Sequence, residues 1–313
     1  MAVSTSLLIG LGQAVLLLLV APLFTGLSRV LRAKLHARKG PDLFQDYRDL
    51  LKLLKREEVV PTQASWVFRA TPYIVMAATL LIAMMIPVVT RQAPLGMAGD
   101  LLAVVYLLTL IRFFLSLGGL DSGSGFAGIG ASREMALGVL VEPTVILVLF
   151  VLAFLSGSTD LGTISQKMAA GELPYDHPAI WLGMAAFAVA TFMETGRIPF
   201  DLAEAEPEIQ EGPLTEYSGR ALALLKWSLA LKQVVVIALF LAVFVPFGSA
   251  AVAGPVPIFV SLLVFLLKVA GFFVVAALLE NSMARLHLFK APAVTWAVFG
   301  LALLSFVFYL AGM

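Results

Sequence analysis

Residues Glu194–Gly219 read ETGRIPFDLAEAEPEIQEGPLTEYSG. Between Ile198 and Gly219 stand six carboxylates (Asp201, Glu204, Glu206, Glu208, Glu211 and Glu216) and no Lys or Arg. The chain on either side is apolar enough to sit in lipid. A dense acidic loop between two such runs predicts a helical membrane protein with a specific task for that loop outside the hydrocarbon.

Composition agrees. Of 313 residues, 60% are hydrophobic and only 13% charged, against roughly 25% charged in an average soluble domain. The short alternating segments of a barrel are nowhere visible, so the expected class is all-α and polytopic. There is no cysteine, which excludes iron–sulfur ligation, disulfides and thiolate metal sites within this chain. His36, His177 and His287 lie in three different connecting regions, so no metal site is expected and any redox chemistry belongs to partner chains. No nucleic-acid partner is expected.

Eight segments have spanning length: 5–27, 70–90, 98–118, 133–156, 179–197, 222–246, 256–282 and 292–311. Pro, Gly or charge clusters separate them. No linker is long enough for a second domain and no internal repeat is visible, so residues 1–313 read as a single membrane domain. Lys and Arg set the orientation. The 28–69 loop holds ten of them, and Arg133, Arg197, Arg220, Arg285 and Lys290 flank other loops of the same side; the opposite loops hold Arg91 and Lys167. The basic side, with the 28–69 and 198–220 loops, is expected in the cytoplasm and both termini outside. The N-terminus lacks a positive region before its apolar run, which reads as an uncleaved first span rather than a signal peptide.

Within the first basic loop, Leu43, Tyr47, Leu50, Leu51 and Leu54 recur at helical spacing and predict an amphipathic helix along the membrane surface, as a lipid anchor or a docking face. GSGFAG at 123–128 formally matches a dinucleotide fingerprint, but it follows a membrane helix rather than a strand. A close-packed or flexible glycine turn is expected there.

Eight ionisable residues fall inside the spans: Arg112, Glu134, Glu142, Glu194, Lys226, Lys232, Lys268 and Glu280. Glu134, Glu194, Lys226 and Glu280 lie near span ends, within reach of the interface. Arg112, Glu142, Lys232 and Lys268 lie deeper, Glu142 and Lys232 roughly 15 Å in at 1.5 Å per residue. Each deep charge costs on the order of 3 kcal/mol even on the gentlest insertion scale, about 12 kcal/mol for four. They must pair, line water or neutralise. Three bases face one acid, so either a lysine sheds its charge or a neighbouring subunit supplies a carboxylate. The loop beneath Glu194 reads three ways: a solvated acidic segment, a docking surface for a basic partner, or a carboxylate-lined proton mouth. Glu204, Glu208 and Glu211 would share a face if it were helical, but Pro207 interrupts any such helix.

The loop sequence resembles that of the respiratory complex I subunit 1 family. RKGPDLFQDYRDLLKLL, WVFRATPY, GLDSGSGFAGIGASREMALGVLVEPT and ENSMARLHL bring the chain closer to one branch, the membrane subunit of formate hydrogenlyase and related group 4 nickel–iron hydrogenases. The resemblance implies a non-catalytic subunit of the inner membrane that anchors a peripheral redox arm and couples it to proton or sodium movement. It implies partners: a large subunit with the Ni-Fe centre, a small subunit with 4Fe-4S clusters, and antiporter-like membrane subunits. Asp201, Glu204 and Glu206 would lead inward to Glu142, with Glu134, Arg197 and Phe200 around the cavity that holds quinone in complex I. Asp201, Glu204, Glu206, Glu208 and Glu211 would meet the redox arm. Arg112, Glu194, Lys232 and Lys268 are the further candidates for handling protons. Competing readings are a quinone-binding complex I subunit and a stand-alone ion-coupled transporter.

Overall fold

The computed structural model describes residues 3–96, 99–173, 177–250 and 254–312, and their side chains except those of 3–5, 206, 207 and 255. Among the described residues there is no strand, only two isolated β-bridges between helices. The helices are α1 (Val3–Leu35), α2 (Gln45–Leu54), α3 (Trp66–Met85), α4 (Leu101–Asp121), α5 (Gly125–Ser156), α6 (Leu161–Ala170), α7 (Pro178–Glu194), α8 (Glu206–Ile209), α9 (Gly219–Phe244), α10 (Pro255–Ser282) and α11 (Ala291–Leu310).

Seven of these are long and apolar enough to cross a membrane: α1, α3, α4, α5, α9, α10 and α11. The fifth expected span corresponds to α7, whose 17 residues reach about 25 Å, short of the ~30 Å hydrocarbon core. Its neighbours α5, α9 and α11 enclose it. The amphipathic helix predicted in the 28–69 loop is α2; it rests on α1 and α9 with Leu50 turned inward and Leu51 exposed.

α9 is the hub. It touches α1, α2, α3, α6, α7 and α10, and 78% of its most apolar stretch is covered by the rest of the chain, against 28% for α10 and 22% for α11. That difference decides which helices the molecule is built around and which it presents to lipid or partners.

The glycine run departs from expectation. Gly125–Gly128 already belong to α5, and only Gly123, at φ +71°, makes the turn. The expected close packing is there, with a specific neighbour. A Cβ on Gly130 would lie 2.6 Å from Gly212 Cα, and one on Gly119 would lie 3.2 Å from Pro213. Side-chain-free surfaces on α4 and α5 thus let the second half of the acidic loop sink between them. Tyr217 completes the anchorage by stacking on Phe68, centroids 4.0 Å apart, and donating to Phe68 O at 3.2 Å.

Candidate functional site

Arg112 of α4 is the centre of a buried ionic cluster. Its guanidinium donates from Nε to Glu134 at 3.3 Å, from Nη1 to Glu142 in a short contact, and from Nη2 to Glu194 at 2.5 Å. Lys232 of α9 approaches the other Glu194 oxygen at 3.1 Å, as an ion pair without hydrogen-bond alignment. Four helices meet here, and a planar fork with five donors is the side chain that can serve three carboxylates at once.

The spacing on α5 explains how one arginine reaches two of its residues. Glu134 and Glu142 are eight apart, about 12 Å along the axis. Gly138 lies midway, and a Cβ there would sit 2.6 Å from Arg112 Nη1 and 2.7 Å from Nε. The missing side chain is the groove in which the arginine lies. Glu194 ends α7, where the helix dipole disfavours a carboxylate, so Arg112 and Lys232 are what hold it.

This corrects two expectations. Glu134, Glu194 and Glu280 do not reach the interface; their side chains are 14%, 6% and 3% exposed. The deep set also lacks the expected excess of base: three carboxylates face two bases, leaving one negative charge. Lys268 is elsewhere. It donates to Val245 O at 2.6 Å and to Phe247 O, carbonyls of the turn that follows α9.

Arg197 likewise stands apart. It donates to Ser28 Oγ, to Glu280 at 2.9 Å and to Gln233 at 2.9 Å, and it covers the Phe273 ring at 4.7 Å. Arg32 approaches the second Glu280 oxygen at 3.8 Å. Sequence reading missed Ser28 and Gln233 as partners; the adjacency of Gln233 to Lys232 was the available signal.

A cavity of about 70 Å³ lies between the acidic loop and the cluster, lined by Asp201, Glu204, Phe200, Arg112, Glu134, Glu194 and Lys232 among others. Arg197 is not on its wall. Beyond the arginine, a void of about 20 Å³ is lined by Glu142, Thr191, Glu194 and apolar side chains. The buried Thr191 hydroxyl has no protein partner, and a space of that size with three polar walls suits one water.

The loop carboxylates find bases outside the loop. Glu208 pairs with Arg133 at 2.7 Å, Glu211 with Lys226 at 2.7 Å, and Asp201 with Arg285 at 3.2 Å. α8 is only Glu206–Ile209, with Pro207 in its first turn and Gln210 closing it at φ +59°, so Glu204 and Glu211 fall outside any α-helix. The side chain of Glu206 lies outside the described residues. Glu204 is pushed up to about 7, first by desolvation of its carboxyl and then by the like charges of Asp201, Glu134 and Glu211, with Lys226 opposing. Because the residue also keeps an exposed face, solvent weakens the first cause, and the neighbouring carboxylates are what sustain the shift.

A sequence model described as NADH dehydrogenase matches residues 9–311. The chain belongs to this family, that of complex I subunit 1. Within it, the chain is 50% identical over 304 residues to hydrogenase-4 component C of Escherichia coli K12, covering 97% of this chain and 96% of that one. It is 48% identical over 306 residues to formate hydrogenlyase subunit 4 of the same strain, covering 98% and 99%. A subunit of the NADH-quinone oxidoreductase of Bartonella henselae is 31% identical over 209 residues, 61% of this chain and 60% of that one. A chain of the membrane-bound sulfane sulfur reductase, an archaeal respiratory membrane complex, superposes with TM-score 0.84 over 99% of this chain and 100% of its own, at 23% identity. That likeness shows that the two chains share one fold. The hydrogenase relatives align over nearly their full length, as the sequence resemblance implied, and by name each is one part of a larger assembly.

Proposed function

We propose that this multi-pass membrane protein is the non-catalytic anchoring and coupling subunit of a formate hydrogenlyase-type or related hydrogenase complex. The acidic loop faces the cytoplasm, α7 completes an eight-span bundle, both termini lie outside, and the membrane is the bacterial inner membrane. The asymmetry of fifteen Lys and Arg against two supports that sidedness. The peripheral arm, with a large subunit bearing the Ni-Fe centre and a small subunit bearing 4Fe-4S clusters, rests on the acidic loop. Antiporter-like subunits cover the exposed apolar helices. The redox groups lie in those partners, and this chain supplies none.

One observation carries the coupling role: the cavity under the loop joins Asp201 and Glu204 to a buried cluster with one more carboxylate than base. A net negative cluster reached through water takes up a proton readily and releases it when its partners shift. Protons would pass from Glu204 through the cavity to Glu134 and Glu194, and then to Glu142. The cavity's size favours this over quinone binding. About 70 Å³ admits a few waters, whereas small-molecule pockets run to several hundred cubic ångströms.

Gentle extraction from native membranes with partners attached, followed by metal analysis, tests the assignment. Nickel with several equivalents of iron is the expected result. Iron with quinone and no nickel would transfer the chain to the quinone-reducing branch, and neither metal nor partners would favour a stand-alone transporter.

A further inference from the structure

The end of the bundle opposite the acidic loop holds a much larger cavity, about 620 Å³. Of the 21 Lys and Arg in the chain, only Arg91 and Lys167 belong to the connecting regions of this end, and both line this one space. They arrive from segments more than seventy residues apart. The Nε of Arg91 is buried without a protein hydrogen-bond partner. Lys167 donates one bond, to Ser156 O at 2.6 Å, leaving two of its three N–H donors. Buried guanidinium donors without acceptors are costly, so an acceptor belongs here. Glu172 also lines the space, leaving a net single positive charge on the three ionised side chains.

The walls are fixed before anything binds. Arg91 N donates to Ala250 O at 3.2 Å and Ala250 N to Val89 O at 3.0 Å; on the other side Leu161 N donates to Gly99 O at 3.1 Å and Leu101 N to Thr159 O at 3.0 Å. Gly162 allows the closest approach, since a Cβ there would lie 2.6 Å from Ala93 N. The segment between α3 and α4 is thus stitched on both flanks. The remaining wall is α1, which contributes Ser6 and Ile9. The flank of α1 that carries Ile9 continues along the helix as Leu16 and Val20, all three apolar and partly exposed and on one face at 100° per residue.

A rigid cationic recess opening beside an apolar stripe matches an amphiphile with an anionic head. We propose that this cavity binds the phosphate head of an anionic phospholipid, with Arg91 and Lys167 on the phosphate oxygens and the acyl chains along the Ile9, Leu16 and Val20 flank of α1. A free phosphate shares the head chemistry but has no use for the stripe, which is why the lipid is chosen.

The test uses the intact complex in mild detergent. Native mass spectrometry follows the lipid retained through stepwise delipidation, then rebinding of phosphatidylglycerol against phosphatidylcholine. The expected result is a preference of about tenfold or more for phosphatidylglycerol, lost in Arg91→Gln/Lys167→Gln and raised in Glu172→Gln. Equal retention by the double variant, or no preference between the lipids, overturns the proposal. So does displacement by millimolar inorganic phosphate, which would make it a free-anion site, or a partner's side chain seated on Arg91. If the double variant fails to assemble, Glu172→Gln decides alone, and unchanged or lower retention contradicts the proposal.

Discussion

Lys232 and Gln233 are consecutive on α9, and they hold the two ends of the turn that leaves α7. Lys232 stands 3.1 Å from Glu194, while Gln233 accepts from Arg197 and donates to Thr195 O, both at 2.9 Å. The buried carboxylate cluster and the root of the acidic loop are therefore clamped by adjacent residues of the most enclosed helix. A shift of the loop root pulls on the group that neutralises Glu194. Coupling between docking and proton affinity needs no longer connection than this.

Removing Lys232 leaves a buried Glu194 oxygen without its cation. Lys232→Met should lower the thermal stability of the complex by an amount on the order of 3 kcal/mol, and Glu194→Gln with Lys232→Met should recover much of it. Thermal scanning of the two single and one double variant checks this. Strictly additive losses would show that the pair is not coupled.

Arg112 should not tolerate lysine. An ammonium cannot span three carboxylates on two helices, so Arg112→Lys should impair assembly nearly as much as Arg112→Ala. Gly138→Ala should act in the same direction, because its methyl occupies the groove in which the arginine lies. Complex yield on native gels is the readout, and normal yield from Arg112→Lys would contradict the three-way role.

Gly130→Val should lift the 212–214 turn off α5, since even a Cβ meets Gly212 at 2.6 Å. Hydrogen exchange should then rise across residues 203–218 and the peripheral arm should dissociate more easily. Unchanged exchange there would mean that the glycine seam does not position the loop.

Periodicity and charge spacing were enough to find α2, the spanning helices and the loop, because each is a local pattern. The cluster was only half legible. Glu142, Arg112 and Lys232 stand out as deep charges, but Glu134 and Glu194 read as interfacial because depth was counted along the chain. Burial there comes from the loop folding back beneath α7, which no local pattern encodes. Lys268 misled for a related reason: its partners are backbone carbonyls, and those depend on where α9 ends. The 125–128 stretch reads as a turn because glycine disfavours helix in isolation; it forms the first turn of α5, whose packing against Gly212 and Pro213 is made further along, at Gly130.

Glu204 gives a pH signature. Its carboxyl, raised from the ordinary 4.5 to about 7, binds a proton in the folded state that the unfolded chain releases. Its contribution to stability is present below about 4.5 and lost as pH rises through about 7. The wild-type complex should lose thermal stability over that window more steeply than Glu204→Gln. Asp201→Asn removes one of the like charges and should move the infrared titration of Glu204 downward. A midpoint unaffected by Asp201→Asn would rule out that charge as a cause.

The coupling role stands or falls on a proton path from the acidic loop through the Arg112 cluster to Glu142. Ion movement into native membrane vesicles during turnover of the assembled complex, with Glu142→Gln set beside wild type, probes that path itself. The expected outcome is intact assembly and intact hydrogenase activity with an artificial electron donor, but loss of coupled ion movement. Coupled movement at the wild-type rate in an assembled Glu142→Gln complex would refute the path.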